Sequence, residues 1–320
     1  MEDCVKRYGS ECRSKRAKIH NAASGGCFKN CLFLMTMPTG SNDHLSDEQL
    51  SKVESFLKDN GATIVSEFEK YISISKCGHP GSGSYSMTFR SGVKKFNFVA
   101  LLSTKQIRTL KYLQCLALGW PILSFAFIFD CIDNPEYRER WNSFWMSYLL
   151  PAGDSSYRNC TLSLNICPFV ENWRKGFGLE NQIGLNADLF EGETILVDNS
   201  EKSSVDNVGL VFILKSLGFQ KVFFLNEEFS YGSIINVATK LRKYSKGPVC
   251  CYFYSDHKVG YLPDLIESTN QKQFAGGSSS CLDNLPFLII NWEWLVQSLI
   301  AGFAFEPLKV WALKEEYKST

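Results

Sequence analysis

Several features that mark common classes of protein are scarce or missing in this chain of 320 residues. It has 34 Lys and Arg against 33 Asp and Glu, a formal net charge of +1. No overall basic field therefore attracts DNA or an anionic membrane surface. No apolar run reaches the roughly 18–20 residues that a membrane-spanning helix needs. We predict neither DNA contact nor direct membrane contact from these two absences.

Signatures of catalysis and of metal binding are missing too. The 12 cysteines form no CxxC pair and no Cys/His spacing of the zinc type, so no metal site is predicted. Several of them lie in apolar runs, where a reduced thiol acts as a small hydrophobic side chain, which indicates a reducing compartment, the cytosol or nucleus. GxGxxG, GxxxxGK[ST] and GxSxG are absent, and the four histidines lie in polar segments. We predict a protein that is not an enzyme and needs no cofactor.

Apolar and aromatic side chains, in contrast, are plentiful, with 24 Phe, 13 Tyr and 7 Trp. Short continuous apolar runs predict strands buried on both faces, which indicates a mainly parallel sheet with helices on both sides. The predicted strands are 31–37, 63–65, 96–102, 121–124, 194–197, 221–225, 248–254 and 287–290. The predicted helices follow Ser46, span 125–132 and 208–217, begin near 262–266 and follow Asn291. Polar loops are predicted at 78–92 and 276–280.

The pattern of elements occurs twice along the chain. Gly61 and Gly218, each after a predicted helix, lie 157 residues apart, and Phe127 and Trp294 lie 167 apart. Two similar offsets indicate a tandem duplication. We divide the chain into a basic flank at 1–26, a first domain at 27–147, an ordered linker at 148–193 and a second domain at 194–320. The flank is either a nuclear address or a flexible segment.

The segment Ser103–Asp130 contains the most informative helix. Apolar residues recur in it at helical spacing, at Ile107, Leu110, Leu113 and Ala117. Arg108 and Lys111 are three residues apart near the predicted helix start, where the helix dipole is positive. Two cations there repel each other and the positive end of the dipole, which lowers helix stability by about 0.3–1 kcal/mol. Such an arrangement is explained if an anion such as a phosphate binds beside them. The alternative is an ordinary solvated helix face.

These residues resemble the BRCT family, a phosphopeptide- and partner-binding module of DNA-damage proteins. The likeness spans about 28–307 and is greatest to the tandem BRCT region of checkpoint adaptors, so we expect the C-terminal part of a longer protein. The first repeat departs from the family in having Phe127 in place of the usual Trp. The signatures are Gly61 and Gly218, the pairs Phe127/Cys131 and Trp294/Ser298, and the segments 108–112 and 148–153.

The resemblance implies an α/β fold of two BRCT-like domains packed in tandem, each a mainly parallel four-stranded sheet flanked by three helices. It also implies a phosphate site. Thr36 would bind the phosphate through its hydroxyl, Met37 through its backbone N–H and Lys111 through its ammonium. Arg108 would contact the peptide backbone or a terminal carboxylate. Without the family, Thr36 at a strand end has a simpler interpretation as a turn or packing residue.

The function implied is that of a nuclear checkpoint adaptor. Its expected ligand is a histone 2A-type C-terminal tail phosphorylated at DNA breaks, and the family implies checkpoint kinases as further partners. The alternative is a scaffold that binds protein surfaces, or itself, without phosphate. The sequence leaves self-association open, and the residues of the second repeat that line the peptide groove are unassigned.

Overall fold

A computed structural model describes residues 26–38, 45–77, 84–90, 92–179, 187–198, 207–225, 251–254 and 288–305. The basic flank up to residue 25, the helix predicted near 262–266 and the loop predicted at 276–280 lie outside these ranges. Within them, no helix is both long enough and apolar enough to cross a lipid bilayer.

Strands and helices are interspersed along the chain, as expected for an α/β fold. The strands are β1 (Cys31–Met35), β2 (Thr63–Val65), β3 (Ile72–Cys77), β4 (Ser84–Phe89), β5 (Phe98–Ser103), β6 (Ile122–Ser124), β7 (Gly153–Ser155), β8 (Cys160–Leu162), β9 (Thr194–Asp198), β10 (Lys221–Leu225), β11 (Cys251–Tyr254) and β12 (Leu288–Ile290). The helices are α1 (Asp47–Asp59), α2 (Leu110–Leu118), α3 (Ala126–Asp133), α4 (Pro135–Glu139), α5 (Trp141–Phe144), α6 (Cys167–Arg174), α7 (Asn207–Ser216) and α8 (Trp292–Ala301). Short 3₁₀ turns occupy Phe68–Lys70, Val93–Lys95, Trp145–Tyr148 and Ala187–Phe190.

The first repeat is built on a sheet of four parallel strands in the order β2-β1-β5-β6. Every residue of β5 is buried, as the continuous apolar run predicts for a strand covered on both faces. Helices α1 and α3 contact each other, whereas α2 contacts α7 and α8 of the second repeat. Helix α2 is therefore part of the first repeat and also packs against the second repeat.

Local side-chain signals set most helix ends where they were predicted. Ser46 and Gln49 form the predicted capping box at the start of α1, and Asn291 caps α8 through the N–H of Trp294. Gly302 ends α8 in the left-handed conformation, with φ of 69°. The strands β1 and β5 differ from the predicted runs by one or two residues at their ends.

One helix start was predicted wrongly. Helix α2 begins at Leu110, so Ile107 and Arg108 precede the helix and do not belong to its apolar and cationic faces. The physical reason is the side chain of Thr109, whose hydroxyl oxygen accepts the N–H of Tyr112 and makes Thr109 the N-cap. The direction of the Arg108 side chain is therefore set by the extended segment before the N-cap and not by helical periodicity.

The second sheet has six strands in the order β12-β11-β9-β10-β4-β3, of which β12, β11, β9 and β10 are parallel. The other two form an antiparallel hairpin contributed by the first repeat, which joins β10 where Lys221 pairs with Ser84. The polar loop predicted at 78–92 is therefore wrong for residues 84–89. Their alternation of serine or threonine with apolar residues is typical of a half-buried strand.

The two faces of this hairpin differ as the alternation requires. On the exposed face, hydroxyl pairs cross the strands, Ser73 with Thr88 at 3.0 Å and Ser75 with Ser86 at 2.9 Å. On the other face, Tyr85 packs against Phe224 of β10 with 6.3 Å between ring centroids. The hairpin thus packs its apolar face against the core and presents its polar face to solvent.

An aromatic cluster lies where the predicted linker meets the first sheet. Phe98 of β5 is fully buried, and its ring centroid lies 4.9–6.3 Å from those of five other rings. These rings belong to Phe33, Trp141, Trp145, Phe169 and Trp173. The last two come from α6, so this part of the segment 148–193 packs on the first repeat. Aromatic pairs of this geometry stabilise a fold by about 0.5–1.5 kcal/mol each beyond the area that they bury.

Candidate functional site

Thr36 lies directly after β1, at the carboxyl end of the central strands of the first sheet. Its backbone N–H donates to Leu102 O at 3.0 Å, which continues the ladder by one bond, and only 8% of the residue is exposed. Its hydroxyl oxygen lies 3.0 Å from that of Thr109. Thr109 already accepts the N–H of Tyr112 and can donate its own hydrogen to Thr36. The Thr36 hydrogen is then left to donate to an acceptor outside the chain.

Lys111 lies in the first turn of α2 and reaches the same place. Its ammonium donates to the carbonyl of Met35, the residue before Thr36, at an N···O distance of 3.5 Å. Among the described residues, Lys111 forms no ion pair, and the backbone N–H of Met37 has no acceptor. The structure thus brings together two of the groups that the resemblance assigns to a phosphate, since both Thr36 and Lys111 line one cleft.

Thr36 and Lys111 line an open cleft with a volume of about 380 Å³, whereas Met37, the third predicted donor, is not among its lining residues. Of its eight lining residues, only Thr36 and Lys111 were predicted to belong to a site. Gln114 is one helical turn after Lys111 on α2, and this spacing was a usable signal. Glu67 and Glu69 come from the 3₁₀ turn after β2, and nothing in the sequence places them here. The lining consists of Thr36, Glu67, Phe68, Glu69, Thr109, Leu110, Lys111 and Gln114.

Arg108, predicted to contact the peptide, does not line this cleft. Its Nη1 atom donates to both carboxylate oxygens of Glu293 on α8, at 3.0 and 2.8 Å. Its Nη2 donates to the carbonyl of Asp154 at 3.4 Å. Nearly half of each side chain of the Arg108–Glu293 pair is exposed, so the pair contributes about 0–1 kcal/mol. Arg108 therefore lies at the junction of the two repeats, where Glu293 neutralises its charge.

The carboxyl group of Asp154 belongs to the same junction. Hydrogen bonds from Thr161 and from Gln106 lower its pKa, and the nearby charge of Arg108 adds to this effect. Asp154 is thus held in its ionised form beside Arg108, and this end of the junction carries one cationic and two anionic side chains.

The hydroxyl of Thr109 supports both the helix start and the position of Thr36, which gives a direct prediction. We expect Thr109→Val to lower the free energy of unfolding by about 0.5–2 kcal/mol, because valine keeps the shape and removes the capping oxygen. Urea denaturation followed by tryptophan fluorescence measures the change. Thr109→Ser is the matched control and should behave nearly as the wild type. Equal stability of the valine variant would show that the cap is not formed.

Comparison with known proteins identifies the first repeat. Residues 23–132 match the family model of the BRCA1 C Terminus (BRCT) domain. The first repeat is a BRCT domain. The DNA repair protein RAD9 of Saccharomyces cerevisiae is 35% identical to this chain over 116 residues, which are 33% of this chain and 9% of that protein. The chain thus spans a small part of its relative's length, and the resemblance to BRCT checkpoint proteins is confirmed.

Two solved structures are similar to this chain over most of its length. The BRCT5–BRCT6 domains of S. pombe Brc1 cover 88% of this chain and 95% of their own, with 14% identity and a TM-score of 0.41. The complex of Rtt107p with a phosphorylated histone of the 2A type covers 86% of this chain and 88% of its own, with 13% identity and a TM-score of 0.43. At such scores these likenesses establish nothing about what this chain binds. The predicted α/β fold class is confirmed, and the first repeat matches the BRCT family.

Proposed function

We propose that the cleft beside Thr36 and Lys111 binds a phosphorylated serine or threonine of a partner protein. The observation that carries this proposal is that Thr36, directly after β1, and Lys111, in the first turn of α2, line one cleft. Lys111 lacks a carboxylate partner among the described residues, and Thr109 orients the Thr36 hydroxyl. An ordinary solvated lysine would not require this arrangement.

The chemistry of a phosphate ester suits these donors. Phosphoserine carries about −1.5 to −2 charge near neutral pH and has three acceptor oxygens. The Thr36 hydroxyl, the Met37 N–H and the Lys111 ammonium supply one donor for each oxygen. Hydrogen bonds to a charged group contribute about 1.5–3 kcal/mol each, so loss of the phosphate removes most of the binding energy of a short peptide.

The partner that we propose is a histone 2A-type C-terminal tail phosphorylated at damaged chromatin, read in the nucleus by a checkpoint adaptor. Checkpoint kinases are further proposed partners. The BRCT domain and the sequence relation to a DNA repair protein support this assignment. In this proposal the chain acts as a recognition module and not as an enzyme.

Arg108 has a place in the same proposal. A guanidinium has five N–H donors, of which Glu293 accepts from Nη1 and the Asp154 carbonyl accepts from Nη2. A peptide backbone or a terminal carboxylate that reaches the junction can therefore bind the remaining donors or displace the half-exposed Glu293. Arg108 then reads the part of the ligand that follows the phosphate.

Titration calorimetry with two forms of one tail peptide tests the proposed function. We expect the phosphorylated peptide to bind the 320-residue chain at least about 30-fold more tightly than the unphosphorylated peptide. Equal affinity would contradict the proposal. In that event, sedimentation at several protein concentrations would ask whether the chain is instead a phosphate-independent or self-associating scaffold.

A further inference from the structure

Glu67 and Glu69 place two negative charges on the wall of the proposed phosphate cleft. Both side chains are exposed, and neither forms an ion pair with any residue in the described ranges. Between them, Phe68 is only 3% exposed and packs against the rings of Trp120 and Phe212, at centroid distances of 5.8 and 5.4 Å. This buried anchor fixes the turn, so the two carboxylates stay beside the cleft.

The cleft is larger than a phosphate group. Its volume is about 380 Å³. One water molecule, with a single heavy atom, occupies roughly 30 Å³ in the liquid, so the five heavy atoms of a phosphate fill only part of the cleft. A phosphoserine therefore leaves room for atoms of a neighbouring ligand residue. That residue would lie within reach of the carboxylates in the same lining.

A second observation shows that the cleft is built for a ligand. Gln114 is only 3% exposed and lines the cleft, yet its Nε2 atom has no hydrogen-bond partner among the described residues. Buried amide groups are nearly always paired, because an unpaired one loses its hydrogen bonds to water without replacement. That atom is closed to water, so a polar ligand in the cleft would supply the missing acceptor after a rotation of the amide.

The charges on the cleft wall restrict what this ligand is. A doubly negative phosphate beside Lys111 is repelled by carboxylates at Glu67 and Glu69, and the repulsion is strongest where water is partly excluded. A cation next to the phosphate in the same ligand is attracted by these carboxylates, and this attraction offsets their repulsion of the phosphate. The wall thus favours a ligand that carries both signs of charge.

We propose that the cleft selects a phosphorylated residue with a lysine or arginine within two positions of it. Thr36 and Lys111 bind the phosphate, and Glu67 and Glu69 bind the neighbouring cation. This inference rests on the proposed function, since it names the class of phosphopeptide that the same site takes. Phosphopeptides without a neighbouring cation bind more weakly.

A panel of five phosphopeptides tests the selection by calorimetry on the full chain. One has alanine at all four positions flanking the phosphoserine, and each of the others has lysine at one position, −2, −1, +1 or +2. We expect at least one lysine peptide to bind about fivefold to twentyfold more tightly than the alanine peptide, with a smaller difference at high salt. In Glu67→Gln/Glu69→Gln the preference should disappear, while the alanine peptide binds at least as tightly as before.

The matched control is Glu139→Gln/Glu191→Gln, which changes the net charge equally at two exposed positions that do not line the cleft. It should keep the preference for lysine. If the wild type binds every phosphopeptide equally, or if Glu67→Gln/Glu69→Gln keeps the preference, this inference is overturned while phosphate binding stands. If no phosphopeptide binds more tightly than its unphosphorylated form, the proposed function itself fails.

Discussion

Lys111→Met should lower the affinity of the chain for a phosphorylated peptide by about 100-fold, which corresponds to about 2.7 kcal/mol. The lysine supplies the positive charge that faces the phosphate, and methionine keeps an unbranched apolar stem without that charge. Its only described hydrogen bond is the long one to the Met35 carbonyl, so the fold depends on it little. We expect the thermal midpoint to stay within about 2 °C of the wild type.

Calorimetry with the phosphorylated and unphosphorylated peptides measures this effect, and differential scanning calorimetry measures the midpoint. Lys29→Met is the matched control, because Lys29 is exposed and does not line the cleft. It removes the same charge and should change the affinity less than twofold. If Lys111→Met binds the phosphorylated peptide as tightly as the control does, Lys111 is not a phosphate ligand.

Phe98→Ala should lower the free energy of unfolding by about 3–5 kcal/mol, the largest effect on stability that we expect. Phe98 is fully buried, and its replacement leaves a cavity among five aromatic rings. Three of these rings belong to Trp141, Trp145 and Trp173. Urea denaturation gives the free energy, and the native tryptophan emission should shift as the cluster loosens.

The control for this variant is Phe177→Ala, since Phe177 is 43% exposed. Its removal should change the free energy of unfolding by no more than about 0.5 kcal/mol. A loss of less than about 1 kcal/mol for Phe98→Ala would mean that the cluster is loosely packed. Residues 148–193 would then depend much less on the first sheet.

The parts of the fold that could be predicted depend on contacts close in sequence. Ser46 and Asn291 cap helices through backbone groups three residues away, and the buried strands appear as apolar runs because both of their faces are covered. Thr36 and Lys111 could be named because a family resemblance adds information about tertiary position. The two residues lie 75 positions apart, and no local pattern connects them.

The hairpin of β3 and β4 shows why a correct rule can still give a wrong answer. Its serines and glycines suggested a loop, since these residues are common in turns. Residues 84–89 form a strand because Tyr85 and its apolar neighbours pack against the second repeat, and β10 supplies an edge for pairing. Strand propensity depends strongly on such surroundings, which a single sequence does not contain.

By itself, the sequence determined the buried strands and most helix ends, because periodicity and capping act over a few residues. The duplication is a prediction from two similar offsets, and Thr36 and Lys111 were named as candidate phosphate ligands through the family resemblance. Only the tertiary structure decided that Arg108 pairs with Glu293, 185 positions away, and that Glu67, Glu69 and Gln114 line the cleft. These contacts join segments whose separation along the chain carries no signal, and they form only when the two repeats pack together and the turn after β2 is anchored by Phe68.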